Sequence, residues 1–225
     1  MKILGIDTST RFLCIGIYDG SRIYEYNLDL NRNLSALLTP TINRILNALG
    51  WQASDIDYFA CGLGPGSFTG MRVGIAAIKG LAFSLNKPVV GIPTLDILAK
   101  NASIHGAYVI PVVDAKRNLI YTSIYRNKDA GVKRIKPYML LTADEFIKKA
   151  KIKGEAVILG DAVNLYKQKL LAGMKRIMIL DKDYWYPRAG NIINLAIERI
   201  KDKKINNAFD IEPIYLYPKE CQVRK

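Results

Sequence analysis

The sequence predicts an α/β protein built from two related halves. Short apolar segments typical of strands alternate with segments in which apolar residues recur every three or four positions, as in amphipathic helices. One layout occurs twice: an apolar strand, an aspartate at its end, a polar turn and a returning strand, first around Asp7 and again around Asp114. No low-complexity linker separates the two occurrences. We therefore expect two tightly packed halves, residues 1–103 and 104–225, each with a mixed sheet flanked by helices.

The first half begins with strands and continues into helices. Asp19 and Gly20 form a hairpin-turn signal between two strand patterns. Pro40 lies inside the first helical pattern, so either Thr39 caps a new helix that begins at Pro40, or one helix is kinked there. The predicted strands are residues 3–6, 12–18, 23–28, 58–61 and 89–90, and the predicted helices are residues 34–49, a segment from the glycine-rich turn to about 85, and 94–102.

The second half repeats the hairpin and then alternates between strands and helices. Val113 and Asp114 align with Ile6 and Asp7, and the same offset places Ile124 on Ile17. The predicted strands are residues 108–113, 119–125, 156–159 and 176–180, and the predicted helices are residues 143–150, 162–171 and 190–200.

The charge of the chain is uneven along its length. Lys and Arg number 33 against 20 Asp and Glu, a net charge of +13, and residues 101–225 carry nearly all of the excess. Such an excess favours contact with a polyanion, nucleic acid first and an anionic membrane second, and a solvated lysine-rich surface is the alternative.

Composition excludes several classes of protein. Half of the residues are hydrophobic and about a quarter are charged, which is unlike a disordered tail, a collagen or a disulfide miniprotein. Three scattered cysteines, one histidine and no CxxC pair leave no zinc site of the usual kind. The N-terminus reads as a strand rather than a secretion signal, and no apolar run approaches the roughly 20 residues of a membrane span, so we expect a cytoplasmic protein.

The polar turn that begins at Asp7 is a candidate metal-phosphate element. An aspartate at a strand end followed by hydroxyl residues is typical of a site in which the carboxylate holds Mg²⁺ through water and the hydroxyls hold phosphate. A nucleotide would then lie between the halves, facing Asp7 and Asp114. A purely structural Asx-type turn is the alternative, because no glycine in the turn lets phosphate approach the backbone. The candidate residues here are Asp7, Thr8, Ser9 and Asp114.

The glycine-rich turn over residues 62–70 is a second candidate anion site. It opens a helix, where free amides and the helix dipole favour an anion. It lacks the GxxxxGK[ST] pattern of a P-loop, and Ser67 is not in a G-x-S-x-G elbow. Close packing of glycine is at least as good an interpretation. The candidate residues are Gly64, Gly66, Ser67 and Thr69.

Several segments together resemble one protein family. Ile6-Asp7-Thr8-Ser9-Thr10, then Gly62-Leu63-Gly64-Pro65-Gly66-Ser67-Phe68-Thr69-Gly70-Met71-Arg72-Val73-Gly74, then Lys87-Pro88-Val89-Val90-Gly91-Ile92-Pro93-Thr94-Leu95 and Val113-Asp114-Ala115-Lys116-Arg117 look like the TsaB (YeaZ) family. The resemblance is strong over residues 1–125, weak from there to 209, and returns near the C-terminus. It implies an actin-like (ASKHA) fold of two related halves.

The resemblance also implies a function. TsaB proteins are the non-catalytic partners of TsaD in making threonylcarbamoyladenosine at position 37 of tRNAs that read codons beginning with A; TsaE is the ATPase and TsaC supplies threonylcarbamoyl-adenylate. TsaD carries an H-x-x-x-H metal pair, and the matching positions here are Thr94 and Leu98. Neither replaces an imidazole, so the resemblance implies a pseudoenzyme with no catalytic residue, no metal and no cofactor of its own, ATP and Mg²⁺ being used by the partner system. Many relatives have H-S-E before the first helix; here the segment reads Leu34-Ser35-Ala36.

The partners follow from the same resemblance. In this family the first two helices of the N-terminal half pack against the same helices of TsaD, or of a second copy when TsaD is absent. Packing in the chain's own core is the alternative for each residue. The interface candidates are Leu38, Ile42, Ile45, Met71, Gly74 and Ile75.

Two other points stay open in the sequence. An independent actin-like ATPase or small-molecule kinase, using Asp7, Asp114 and the glycine-rich turn, is the alternative function. The second open point is whether the chain itself contacts tRNA. The candidate residues for such a contact are Lys116, Arg117, Lys133, Arg134, Lys136, Lys148, Lys149 and Lys151.

Overall fold

A computed structural model of the chain describes residues 1–29, 33–102, 104–128 and 131–218. Twelve strands and six α-helices lie in these ranges. In chain order the strands are β1 (Ile3–Asp7), β2 (Phe12–Tyr18), β3 (Ile23–Asp29), β4 (Tyr58–Gly62), β5 (Val89–Ile92), β6 (Tyr108–Lys116), β7 (Leu119–Thr122), β8 (Tyr125–Lys128), β9 (Gly131–Arg134), β10 (Met139–Thr142), β11 (Ala156–Leu159) and β12 (Ile177–Ile179). The helices are α1 (Leu34–Ala48), α2 (Phe68–Ser84), α3 (Thr94–Ala99), α4 (Ala143–Ala150), α5 (Val163–Gly173) and α6 (Ala189–Lys201).

The chain forms two compact units. The first contains residues 1–97 and 187–214, and the second contains residues 98–186 and the segment that begins at 215. The contiguous halves predicted from the sequence, 1–103 and 104–225, differ from these units in two respects: the division falls after residue 97, and residues 187–214 return to the first unit.

Helix α6 is the reason for this return. Its buried residues Ile192, Ile193 and Ala196 pack on the face of the first sheet formed by β1, β2, β4 and β5. A Cβ on Gly16 of β2 would lie 2.7 Å from both the Ala189 carbonyl oxygen and an Ile193 side-chain carbon, so the absence of a side chain lets the helix approach the strand closely.

The first unit has a five-stranded mixed sheet in the order β3-β2-β1-β4-β5. Strands β1, β2 and β3 pair antiparallel, whereas β1, β4 and β5 pair parallel. Helices α1 and α2 cover the face opposite α6, and one hydrophobic cluster joins Leu38, Ile42, Ile75 and Ile78 to the strands. Helix α1 runs through Pro40 without ending there, so the alternative of a new helix beginning at Pro40 is wrong.

The second unit repeats the central part of the first. Strands β6 and β7 form an antiparallel hairpin as β1 and β2 do, and β11 pairs parallel to β6 as β4 pairs parallel to β1. Its sheet has the order β10-β7-β6-β11-β12, and β8 and β9 extend from the beginning of β6. The predicted duplication is confirmed, and β8, β9 and β10 are additions that the apolar pattern did not predict as separate strands.

Candidate functional site

The carboxylate of Asp7 is fully buried at the end of β1. Oδ1 accepts hydrogen bonds from the backbone N–H of Ser9 at 2.8 Å and from its hydroxyl at 2.7 Å. Oδ2 accepts from the hydroxyl of Thr94 at 2.7 Å. All three residues have at most 2% of their surface exposed. The protein's own donors therefore occupy both oxygens of this carboxylate.

Thr94 connects this carboxylate to the glycine-rich turn. Its hydroxyl oxygen accepts from the N–H of Gly64 at 3.0 Å, and its own N–H donates to the carbonyl of Gly64 at 2.7 Å. Because Thr94 begins α3 and Asp7 ends β1, these bonds fix the start of a helix against the carboxyl end of a strand. We call Asp7, Ser9, Thr94 and Gly64 the Asp7 cluster.

Burial dominates the electrostatics of the Asp7 cluster. Desolvation raises the pKa of Asp7 above its ordinary value of 3.8, and the hydrogen bonds from Ser9 and Thr94 lower that pKa by less. The thiols of Cys14 and Cys61 are also buried, and their pKa values are raised by desolvation first and by the charge of Asp7 second. Both thiols are consequently neutral, unreactive core groups.

The glycine-rich turn packs around the backbone of Thr8 and Ser9. The N–H of Ser67 donates to the carbonyl of Ser9 at 2.7 Å, and the hydroxyl of Thr8 donates to the carbonyl of Gly70 at 2.8 Å. A Cβ on Gly66 would be 2.9 Å from the Ser9 Cβ, and a Cβ on Gly70 would collide with the Thr8 carbonyl oxygen. These contacts favour the structural interpretation of the turn over the anion-binding one.

Helix α2 begins with a side-chain cap rather than with free amides alone. The hydroxyl of Ser67 accepts from the N–H of Gly70 at 3.2 Å, which satisfies one of the unpaired donors of the first turn. Thr69 lies exposed beside it. Thus Asp7, Thr8, Ser9, Gly64, Gly66, Ser67 and Thr69, all predicted as anion-site residues, do lie together in the first unit. Anion binding by them stays a prediction.

Asp114 holds the equivalent position in the second unit. Its N–H donates to Oδ1 of Asp161 at 2.9 Å, and its carboxylate forms an ion pair with the Lys116 ammonium at 2.5 Å. Burial raises the pKa of Asp161, and the hydrogen bond to Asp114 raises the pKa of Lys116. Sequence reasoning missed Asp161, although it follows the apolar run of β11 as Asp7 follows that of β1. Among the residues that the structure describes, no three His, Cys, Asp or Glu side chains are grouped so that they could hold a metal ion.

The six interface candidates face the interior of the first unit. Leu38, Ile42, Met71 and Ile75 are between 1% and 4% exposed, and Ile45 is half-buried against the same hydrophobic cluster. Gly74 is buried, and a Cβ there would collide with the Thr8 hydroxyl. Their contacts give these residues a packing role in this chain, so contact with a partner at these positions stays a prediction.

The outer face of α2 differs from that inner face. Arg72, Ala76 and Gly80 are exposed at spacings of four along the helix. A Cβ on Gly80 would meet nothing within 4 Å, so no contact in the described part of the chain accounts for a glycine in the middle of this helix.

Within the described ranges, no helix is long and apolar enough to cross a membrane.

Comparison with known proteins decides the family. The family model described as TsaD, tRNA N6-adenosine threonylcarbamoyltransferase, matches residues 29–193. The tRNA threonylcarbamoyladenosine biosynthesis protein TsaB of Haemophilus influenzae is 31% identical over 230 residues, covering 96% of this chain and 93% of that protein. This chain belongs to the TsaB (YeaZ) family.

Further relatives are similar to this chain over nearly its whole length. TsaB of Bacillus subtilis is 28% identical over 228 residues, covering 100% of this chain and 97% of that protein. The structure of YeaZ from Pseudomonas aeruginosa is similar with a TM-score of 0.84 at 24% identity, covering 96% of this chain and 99% of that one. The predicted TsaB family and the predicted fold of two related halves are confirmed, and the name actin-like for that fold stays what the family resemblance implies.

Proposed function

We propose that this chain is a non-catalytic subunit that supports the formation of threonylcarbamoyladenosine at position 37 of tRNAs reading codons that begin with A, and that it acts by binding TsaD. Its curated relatives are named as biosynthesis proteins for this modification. The proposal includes TsaE as a further partner, a homodimer when TsaD is absent, and a cytoplasmic location.

The hydrogen bond from Thr94 to Asp7 is the observation that carries the non-catalytic part of the proposal. A carboxylate that took part in catalysis would have to reach substrate, metal or water. Asp7 is 0% exposed and its oxygens accept three bonds from within the chain. Using it for chemistry would require breaking the Asp7 cluster, and the cluster links β1, α3 and the glycine-rich turn.

The residues at the metal-pair positions add a second reason. Thr94 offers a hydroxyl that is already engaged with Asp7 and Gly64, and Leu98 is a fully buried aliphatic side chain. Imidazole nitrogen and carboxylate oxygen are the ordinary first ligands of a catalytic divalent ion, and neither position supplies one.

The exposed face of α2 supports the partner-binding part. Glycine inside a helix costs about 0.5–1 kcal/mol relative to alanine, so its presence at Gly80 requires a reason. Close approach of a second helix provides that reason, because a residue without a side chain lets two backbones come together. Ala76, one turn before Gly80, extends the same flat surface.

Reconstitution of the modification tests the proposal. Purified TsaC, TsaD and TsaE are incubated with ATP, Mg²⁺, threonine, bicarbonate and tRNA, with and without this chain, and modified adenosine is measured. We expect modification to depend on this chain, and we expect the chain to elute with TsaD in size-exclusion chromatography. Modification at the same rate without the chain, or ATP turnover by the chain alone at a rate comparable to that of the complete system, would contradict the proposal and favour an independent ATPase or kinase.

A further inference from the structure

Cationic side chains gather at one edge of the second unit's sheet. The parallel strands β6, β11 and β12 all begin at this edge, whereas β8 ends there and β9 begins there, because both neighbours of β8 run antiparallel to it. We call the following residues the basic edge: Arg126, Lys128, Lys133, Lys153, Lys175 and Arg176. Five of them are exposed and Arg126 is half-buried.

Backbone hydrogen bonds bring these segments, which are distant in sequence, next to one another. The N–H of Tyr108 donates to the carbonyl of Glu155 at 2.9 Å, and the N–H of Ala156 donates to the carbonyl of Arg176 at 3.0 Å. On the other side of β6, Tyr108 pairs with Arg126, which pairs in turn with Lys133. The order across the edge is therefore β9, β8, β6, β11, β12, and at a strand spacing of roughly 4.8 Å the cations extend over about 19 Å.

The charges at this edge have little compensation. In the sequence of residues 126–134, 151–155 and 174–176, eight side chains are basic and two, Asp129 and Glu155, are acidic. Among the described residues, none of the six basic-edge side chains lies within ion-pair distance of a carboxylate. Arg126 and Lys133 are directly opposite on an antiparallel pair, an arrangement of like charges that is destabilising by itself and that a bound anion relieves.

The opposite edge of the same sheet has a different character. Asp114, Asp161 and Asp181 lie where β6, β11 and β12 end, and the ammonium of Lys116 is paired with one of these carboxylates. Acidic side chains thus accompany the ends of these three strands, whereas the basic edge lies where the strands begin. This placement could not be found from composition, which gives only the excess of charge.

The guanidinium of Arg126 lies over an aromatic ring. Its Cζ lies 4.1 Å from the centre of the Tyr108 ring, and a Cβ added to Gly154 would lie 3.9 Å from its Nη1. A guanidinium that stacks on an aromatic ring keeps its in-plane N–H groups free to point outward, and a planar fork of donors suits phosphate oxygens.

From this arrangement we infer that the basic edge binds the phosphate backbone of RNA. A row of cations about 19 Å long matches a linear polyanion, which presents charges at regular short intervals, better than it matches a single small anion. The choice of tRNA as the RNA rests on the proposed function, whereas the phosphate contact itself rests only on the basic edge. Of the residues predicted from the sequence to touch tRNA, Lys133 belongs to this edge and Lys116 lies at the opposite one.

Binding of the isolated full-length chain to fluorescent tRNA, measured by anisotropy over a range of salt concentrations, tests the inference. The test variant carries Lys133→Gln, Lys153→Gln and Lys175→Gln. The matched control carries Lys87→Gln, Lys201→Gln and Lys204→Gln, which removes the same charge from the first unit. Each lost phosphate contact lowers the slope of log K against log salt by roughly 0.7–0.9, so we expect the test variant to lose about two from that slope and to bind about tenfold or more weakly at 0.1 M salt.

The control variant should bind tRNA within about twofold of the wild type. Equal weakening by both variants would mean that only net charge matters and would overturn the inference. Binding to anionic vesicles or polyglutamate with no affinity for tRNA would overturn it as well. Binding of the test variant to TsaD is measured as well. If the variant loses affinity for tRNA but still forms the TsaD complex, the loss concerns the basic edge and leaves the proposed function untouched.

Discussion

The hydroxyl of Thr94 donates a 2.7 Å hydrogen bond to Oδ2 of Asp7, across 87 positions of sequence. The same hydroxyl oxygen accepts from Gly64, so one side chain links the end of β1, the start of α3 and the glycine-rich turn. The turn that sequence reasoning treats as a candidate phosphate element is held closed by this bond. The donors and acceptors of this region are therefore paired with one another, although the sequence has the layout of a nucleotide site.

Replacing Thr94 with valine should destabilise the protein strongly. Valine has nearly the same shape and lacks the hydroxyl, so Asp7 Oδ2 and the Gly64 N–H would each lose the hydrogen bond to Thr94 in a buried site. We expect the free energy of unfolding, measured with urea, to fall by about 3 kcal/mol. Thr94→Ser, which keeps the hydroxyl and loses one methyl group, should cost only about 1 kcal/mol. Equal costs for the two variants would show that the hydroxyl contributes nothing.

The raised pKa of Asp7 predicts a pH dependence of stability. Because burial raises the folded-state pKa above 3.8, the folded state binds the Asp7 proton more tightly than the unfolded state does. This contribution to stability is fully present below pH 3.8 and is lost as the pH rises through the folded-state pKa. Asp7→Asn removes the titration. We therefore expect the unfolding free energy of wild type minus that of Asp7→Asn to decrease as the pH is raised from 4 to 7. An increase over this range would contradict the direction of the shift.

Alanine substitutions at two glycines of α2 should change the free energy of unfolding in opposite directions. A Cβ on Gly74 would collide with the Thr8 hydroxyl, whereas a Cβ on Gly80 would enter open space. Gly74→Ala should lower the unfolding free energy by about 1–3 kcal/mol through overpacking, and Gly80→Ala should raise it by about 0.5–1 kcal/mol through helix propensity. Urea unfolding of the two variants side by side checks this. Destabilisation by both would mean that Gly80 also has a contact inside the chain.

A large residue at Gly80 should block the proposed partner surface. Gly80→Arg has room in the isolated chain, so its fold and its unfolding free energy should stay close to those of Gly80→Ala. If a helix of TsaD packs closely on this face, the added side chain should raise the Kd of the complex at least tenfold, a loss of about 1.4 kcal/mol. Isothermal titration with TsaD measures this. Unchanged affinity for Gly80→Arg would place the interface elsewhere.

The sequence predicted features that depend on local pattern and missed those that depend on distant packing. The two strand–aspartate–hairpin layouts around Asp7 and Asp114 were predictable because each is contiguous. The sequence predicted a helix over residues 190–200, but it did not indicate which sheet this helix covers, and α6 covers the first one. Gly74 and Gly80 look alike in the sequence, and only the position of Thr8 distinguishes a glycine that packs from one that is exposed.

The candidate site also has a part that the sequence predicted and a part that it did not. The residues of the Asp7 turn and of the glycine-rich turn were identified from composition and spacing, and the structure brings them together. Their chemistry was not predictable, because it depends on whether the donors point outward to a ligand or inward to the chain. The Ser67 N–H points to the Ser9 carbonyl, and the Thr94 hydroxyl points to Asp7. The basic edge could not be predicted from the sequence either, because only the order of the strands in the sheet brings Lys133 and Lys175 to the same edge.

A reconstituted modification assay with three forms of the chain distinguishes a subunit that only binds TsaD from one that also contributes to the chemistry. Wild type, Asp7→Asn and Gly80→Arg are compared at equal concentrations of folded protein, with TsaC, TsaD, TsaE, ATP and tRNA held constant. We expect Asp7→Asn to retain the wild-type rate within about twofold, because Asp7 is structural, and Gly80→Arg to lower the rate about tenfold at limiting TsaD, because binding is lost. An Asp7→Asn protein that is folded and bound to TsaD but inactive would contradict the claim that this subunit supplies a surface and no chemistry.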